Sequence, residues 1–211
     1  MARARPADGS ARERILVAAE ELFAAGGFDA TPTSRIAERA DVPKGLVHYY
    51  FRRKADLLTA LVERLPDERI ETAKVVVPGD IAQSLRRLVA ELDRRLSSSV
   101  MLSHLLWREA DTHTGVRDAL QDRYQQLVAQ VRAVILAAGV GGLAVADIDS
   151  ASGLLALAVS YRHSVARHAV DEGPDEMERE LEFIASALTA RASERGAGTG
   201  DELGGALKPG Q

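Results

Sequence analysis

Two very short helical stretches either side of a tight turn limit this chain more than any other feature. Ser34 to Ala40 and Lys44 to Tyr50 each span seven residues and flank Asp41-Val42-Pro43. Helices of that length do not persist alone in water, because nucleation costs more than a few backbone bonds return. Neighbours must brace them. An earlier helix places Ile15, Ala18, Ala19, Leu22 and Phe23 at helical spacing and stops at Gly26-Gly27. A later one starts at Arg53 and carries Leu57, Leu58, Leu61, Val62 and Leu65 on one side. Ser10 suits the N-cap of the first helix, with Glu13 closing a capping box, and Thr33 suits the N-cap of the helix from Ser34. Leu22, Phe23, Ile36, Val42 and Val47 then form a small shared core. Pro66 should kink or end the later helix, since its ring removes an intrahelical bond.

The remainder reads as helical throughout. The β-branched run Val75 to Val77 and Pro78-Gly79 close one segment, and Asp80 caps the next, with Ile81, Leu85, Leu88, Val89 and Leu92 in one stripe. Further helices are expected over Val100 to Glu109, over Val116 to Ala138, from Asp147 or Asp149 to about Val170, and from Pro174 to near Ala192. Gly139, Gly141 and Gly142 break the second of these. Alanine supplies 35 of the 211 residues, far more than a strand-rich fold uses, and no strand is needed anywhere. The expected fold is all-α: a small N-terminal three-helix unit followed by a larger helical bundle. The expected divisions are a basic arm at 1–9 with Arg3 and Arg5, a small domain at 10–55 and a bundle at 56–195. Residues 196–211, seven of them Gly or Pro, read as a disordered tail.

Charge and cysteine usage narrow the function. Net charge is -4, yet residues 1–60 hold ten basic and eight acidic side chains, and the rest of the chain is acidic. A small basic head is compatible with a nucleic-acid partner even when the whole chain is not basic. There is no cysteine, which excludes disulfides, thiolate metal sites and thiol nucleophiles. His163 and His168 are five apart and do not share a helical face, so no metal site is expected. The longest uncharged stretches, Ala133 to Ala146 and Ser150 to Tyr161, fall short of the ~18–20 residues a bilayer demands. The start MARARPADGSARER has no apolar segment after its arginines, so a cytoplasmic protein without membrane contact is the expectation.

A helix-turn-helix of this shape lays one helix in the DNA major groove while the other crosses the backbone. Lys44 to Phe51 would be the reading helix, with Lys44, Leu46, His48 and Tyr49 exposed. Lys44 could donate to guanine O6 or N7, Leu46 could pack on a thymine methyl, and Gly45 permits close backbone approach. Arg52, Arg53 and Lys54 oppose the dipole of the helix they begin, a local conflict that phosphate contact would resolve. Phe51 suits the core, Tyr50 suits core or surface equally, and Tyr49 suits the surface. His48 is open to phosphate contact or packing, and the arm arginines to DNA contact or none.

Residues 15 to 58, ILVAAEELFAAGGFDATPTSRIAERADVPKGLVHYYFRRKADLL, resemble the TetR family of bacterial transcriptional regulators. The resemblance runs through Leu22-Phe23, Gly27-Phe28, Thr31, Ile36-Ala37, Ala40, Val42, Gly45, the aromatics to Phe51, and Lys54 before Leu57. It implies that Thr33 and Ser34 begin a helix touching DNA phosphates or a flanking base. Lys44, Gly45 and Leu46 would lie over base edges, and His48, Tyr49, Tyr50 and Lys54 on the backbone. Three positions depart from the family's pattern. Asp41 stands where glycine is usual, and aspartate tolerates a left-handed backbone. Pro43 replaces a common serine, losing a side-chain cap but pre-setting φ for helix entry. Pro32 stands where Thr or Ser is common.

The same resemblance implies a C-terminal bundle that binds a small molecule and joins two copies through its last two long helices. Ala151, Leu154, Leu155, Ala158, Val159 and Ala166 would suit that contact, with Leu181, Phe183, Ile184 and Leu188 beside them; an ordinary core is the alternative. His104, Trp107, Tyr124, Tyr161 and His163 are the candidate ligand-binding residues, as polar groups a plain bundle core does not need. Spacing with Leu154 and Ala158 turns Tyr161 inward. The expected partners are double-stranded operator DNA, a small-molecule effector and a second copy of the chain. The expected activity is repression at a palindromic operator, relieved by the effector, with Pro66 placed to transmit a bend. No catalytic residue and no cofactor are expected: Glu109, Asp111, Asp118 and Asp122 read as a solvated helix face. An enzyme on a helical bundle, an activator and a relative without DNA binding are the competing readings.

Overall fold

A computed structural model describes residues 10–66, 69–96, 99–139, 141–164 and 177–198. Arg3, Arg5, Pro174, His168 and residues 199–211 lie outside the described residues. Among the described residues there are ten helices and no strand. In chain order these are α1 (Ala11–Gly26), α2 (Thr33–Arg39), α3 (Lys44–Tyr50), α4 (Lys54–Val62) and α5 (Thr72–Val75). Then come α6 (Ile81–Leu96), α7 (Val100–Glu109), α8 (Thr114–Ala137), α9 (Val145–Ser164) and α10 (Glu178–Gly198). The chain forms two compact units, 1–66 with 98–122 and 67–97 with 123–211. The first unit therefore recruits α7 and the start of α8 to the N-terminal helices, which differs from a single division after residue 55.

In the first unit, the Ser10 hydroxyl accepts from the Glu13 amide at 3.3 Å and starts α1. Gly27, at φ 82°, ends it, and its amide donates to the Phe23 carbonyl at 2.9 Å. The buried Thr31 hydroxyl donates to the Gly27 carbonyl at 2.8 Å and closes the loop into α2. Pro32, not Thr33, holds the N-cap position of α2, so Thr33 is the first helical residue. The pre-set φ of a proline suits helix entry without a side-chain cap. α2 ends in a Schellman turn. Asp41 sits at φ 53°, its amide donates to the Glu38 carbonyl at 3.1 Å, and the Val42 amide donates to the Ala37 carbonyl at 3.0 Å. The left-handed backbone expected there is present, on an aspartate.

α3 has the expected bounds, between Pro43 and the extended Phe51. Ile15, Phe23, Ile36, Val47, Leu57, Leu58 and Leu61 meet with Leu106 and Val116 in one buried cluster that braces the two seven-residue helices. Burying each such side chain contributes roughly 1.5–3 kcal/mol, which exceeds what isolated short helices lack.

α4 is shorter than expected. It ends at Val62, and the Arg64 and Leu65 amides turn back to Leu61 and Val62 at 3.1 Å each. The ring of Pro66 excludes a helical carbonyl four residues earlier, at Val62, so the proline ends the helix upstream instead of bending it. Pro66 thus lies outside α4.

In the second unit, the Asp80 carboxylate accepts from the Gln83 amide at 2.8 Å and caps α6 as expected. Leu85, Leu88 and Leu92 of α6 are fully buried with Val131, Val134 and Ile135 of α8 and Val159 of α9. The segment around Val75 contains a four-residue helix, α5, where the β-branched run had suggested only a closing stretch. Two hydrogen bonds hold the stretch before it: the Gln130 amide accepts from Ile70 N–H at 3.0 Å and donates to its carbonyl at 2.8 Å. α9 begins at Val145, ahead of both aspartates considered for its start. α10 runs to Gly198, past Ala192 and into the stretch read as tail. Six residues of that extension are not separated from the helix by any proline, and helical continuation tolerates an isolated glycine.

Candidate nucleic-acid interface

The first unit offers a face built by α2 and α3. Val47 is the buried residue of α3, and its neighbours point the other way: Lys44, Gly45, His48 and Tyr49 are exposed and Leu46 is half-buried. One buried residue in seven anchors the helix and leaves the rest for an outside surface. Tyr49 is 77% exposed and Tyr50 39%, and their rings meet edge to face with centroids 5.2 Å apart. Tyr50 therefore belongs to the surface, and Phe51 is buried as expected, with the Arg12 guanidinium 5.6 Å from its ring centroid. Nothing lies within 4 Å of where a Gly45 side chain would stand, so no internal crowding calls for glycine there. Ser34 is exposed and Thr33 half-buried at the start of α2.

Lys54 is engaged within the unit. Its ammonium donates to the Phe28 carbonyl and, at 3.3 Å, to the Asp29 carbonyl, and it lies 4.2 Å from the Phe28 ring centroid. These bonds occupy the group on the loop between α1 and α2. Arg53 is likewise engaged: Asp56 accepts from its backbone N–H at 2.9 Å and from its guanidinium at 2.9 and 3.1 Å. The Arg53 backbone bond, ahead of its charge, holds the Asp56 carboxyl below its usual range despite a smaller opposing effect of burial. The charge conflict at the start of α4 is thus answered within the chain, by a carboxylate three residues into it.

The ligand-binding candidates are divided between the two units. His104 and Trp107 lie on α7 in the first unit, whereas Tyr124, Tyr161 and His163 lie in the second. Trp107 is exposed, and Tyr161 is 61% exposed, which corrects its expected inward direction. Leu154 and Leu157 on the same helix are exposed with it, so the helical spacing located a shared face but on the outside. The Tyr124 hydroxyl donates to the Gly153 carbonyl at 3.3 Å and ties α8 to α9. His163 Nε2 is 2.7 Å from Asp93, and Arg162 donates to the same carboxylate at 2.5 Å. Burial pushes the Asp93 carboxyl up, but the His163 bond and the Arg162 charge together bring it below its usual value. The run Asp93-Arg94-Arg95 carries no sequence sign that Asp93 has partners about seventy residues away.

Among the described residues no group of three His, Asp or Glu side chains is placed to hold a metal ion. No described helix is long and apolar enough to cross a membrane. Between α9 and α10 runs a groove of about 190 Å³ that includes Leu154, Phe183 and Leu188.

These features define a helix-turn-helix head on an all-helical chain. Residues 15–61 match the model of the bacterial regulatory proteins of the tetR family. The match marks the N-terminal helices as those of a tetR-family regulatory protein. The HTH-type transcriptional repressor KstR of Mycolicibacterium smegmatis is 33% identical over 100 residues, 46% of this chain and 48% of that protein. The chain thus spans about half the length of the curated relatives it matches. Salmonella enterica GusR has the same fold, at TM-score 0.63 and 22% identity, over 87% of this chain and 95% of that one. A transcriptional regulator from Rhodococcus sp. Rha1 superimposes at TM-score 0.57 and 19% identity over 90% of this chain and 97% of that one.

Proposed function

We propose that this protein is a transcriptional repressor that binds a palindromic operator as a homodimer in the cytoplasm and is released by a small molecule. One observation carries the DNA-binding part: α3 buries Val47 and turns Lys44, Gly45, His48 and Tyr49 outward together. A helix anchored by a single residue, with a cation, a side-chain-free position and two polar rings outward, has the chemistry to enter a major groove. Lys44, Gly45 and Leu46 face base edges in this reading. Thr33, Ser34, His48, Tyr49 and Tyr50 lie near the phosphates.

The exposed Leu154, Leu157 and Tyr161 of α9 and Phe183 of α10 support the homodimer, because large apolar side chains gathered on one face favour a protein partner. Two copies would present two heads to two half-sites about one helical turn apart, roughly 34–36 Å. Repression is supported by the likeness to KstR, an HTH-type transcriptional repressor.

Selection of bound fragments from genomic DNA, followed by a gel shift, tests the reading. A short palindrome should emerge and shift with the protein, and Lys44→Ala should weaken that complex by ~1–3 kcal/mol. Candidate effectors then follow from loss of the shift on addition. Enrichment of no sequence, with no shifted band, would overturn the proposal.

A further inference from the structure

Residues 33–54 contain six cations, and the fold treats them differently. Arg39 pairs with Glu21 at 2.7 Å, Arg53 pairs with Asp56 at 2.9 Å, and Lys54 is bonded to two loop carbonyls. The side chains of Arg35, Lys44 and Arg52 make no hydrogen bond or ion pair among the described residues, and all three are exposed. Lys44 opens α3, where the functional reading gives it a base edge. Arg35 stands in the first turn of α2 next to Ser34, and Arg52 stands directly beyond the last turn of α3.

From this division we infer that Arg35 and Arg52 carry the electrostatic grip on DNA phosphates, and that the carboxylate-paired Arg39 and Arg53 do not. The inference rests on the DNA-binding reading above. Its physical basis is that a cation held by a carboxylate contributes no net charge to the interface. It must break that pair before it can displace a counterion from a phosphate. An unpaired guanidinium has only water to give up, and its planar fork suits two phosphate oxygens. The two arginines lie at the start of α2 and beyond the end of α3, so they bracket the reading residues in sequence and leave the first turn of α3 to the bases. Phosphate contacts of this kind set register and affinity without reading sequence.

The test uses a labelled duplex of random sequence, so it needs no knowledge of the operator. Binding of the full chain is followed by fluorescence anisotropy between about 50 and 200 mM salt, the range over which counterion release is steep. Arg35→Gln and Arg52→Gln should each reduce the slope of log K against log salt by about 0.9 per bound head. Arg35→Lys and Arg52→Lys should restore it, since charge alone sets the slope. Glu21→Gln/Arg39→Gln removes a pair at no net charge, and Arg87→Gln removes an exposed, unpaired cation from α6 in the second unit. Both should leave the slope as it is. Circular dichroism of each variant establishes that the helices are intact. An unchanged slope in Arg35→Gln and Arg52→Gln, while the parent binds, would overturn this inference and leave the functional reading standing. An equal fall in Glu21→Gln/Arg39→Gln or in Arg87→Gln would overturn it too. A parent that binds no duplex at the lowest salt would overturn both together.

Discussion

Lys54 is joined to Phe28 twice, through its ammonium to the carbonyl and across 4.2 Å to the centroid of the ring. The Phe28 ring also meets Phe23 edge to face at 5.1 Å and His113 at 4.7 Å. One cation thus fixes the loop between α1 and α2 against the start of α4. Lys54→Met keeps the aliphatic stem but removes the charged hydrogen bonds and the ring contact, so it should destabilise the protein by about 2 kcal/mol. Urea unfolding measures this, and a midpoint equal to that of the parent would show that the tether contributes nothing.

Asp41 occupies a left-handed backbone that L-residues other than Asn and Asp rarely adopt. Asp41→Val should cost roughly 1–2 kcal/mol, since a branched Cβ clashes in that region. Asp41→Gly should cost less than Asp41→Val, because glycine has no such clash. Thermal unfolding of the two variants side by side gives the order, and the reverse order would contradict the Schellman geometry.

The Asp93 carboxyl titrates below its ordinary value in the folded chain, so the sign of its pH effect is set. A group depressed on folding contributes stability above its unfolded pKa, and that contribution fades as pH falls through the folded value. Asp93→Asn should therefore be less stable than the parent at neutral pH, and the gap should narrow on acidification below about pH 4. Unfolding free energies measured across that range decide it. A gap that stays constant with pH would mean that Arg162 and His163 do not act on Asp93 through its charge.

Phe183 is 75% exposed on α10, and Leu154 is 62% exposed on α9, beside the groove that both line. Phe183→Glu/Leu154→Glu should convert the proposed dimer to a monomer that remains helical. Analytical ultracentrifugation reads the mass directly. A parent that sediments as a monomer at every concentration would remove the basis for a two-headed DNA complex.

Local chemistry wrote much of this fold into the sequence. The bounds of α3 and α7 were legible from Pro43 and from the run of apolar residues after Ser99, and Asp80 was legible as a cap. The left-handed turn at Asp41 followed from the family resemblance, in which glycine is usual at that position and aspartate tolerates the same backbone. Each of these depends on atoms a few residues apart, where backbone sterics and side-chain reach leave few alternatives.

Partners far apart in the chain were not legible. Tyr161 has the periodicity of a face, but periodicity cannot say whether that face is covered by the same chain or left outside, and here it is outside. Lys54 carries a charge suited to a phosphate, and the tertiary structure brings two loop carbonyls from about twenty-five residues away to accept hydrogen bonds from it. The sequence determined which helices form and which cations the head carries. Only the packed chain decided which of those cations remain unpaired, because pairing depends on distances between elements that local preference does not set.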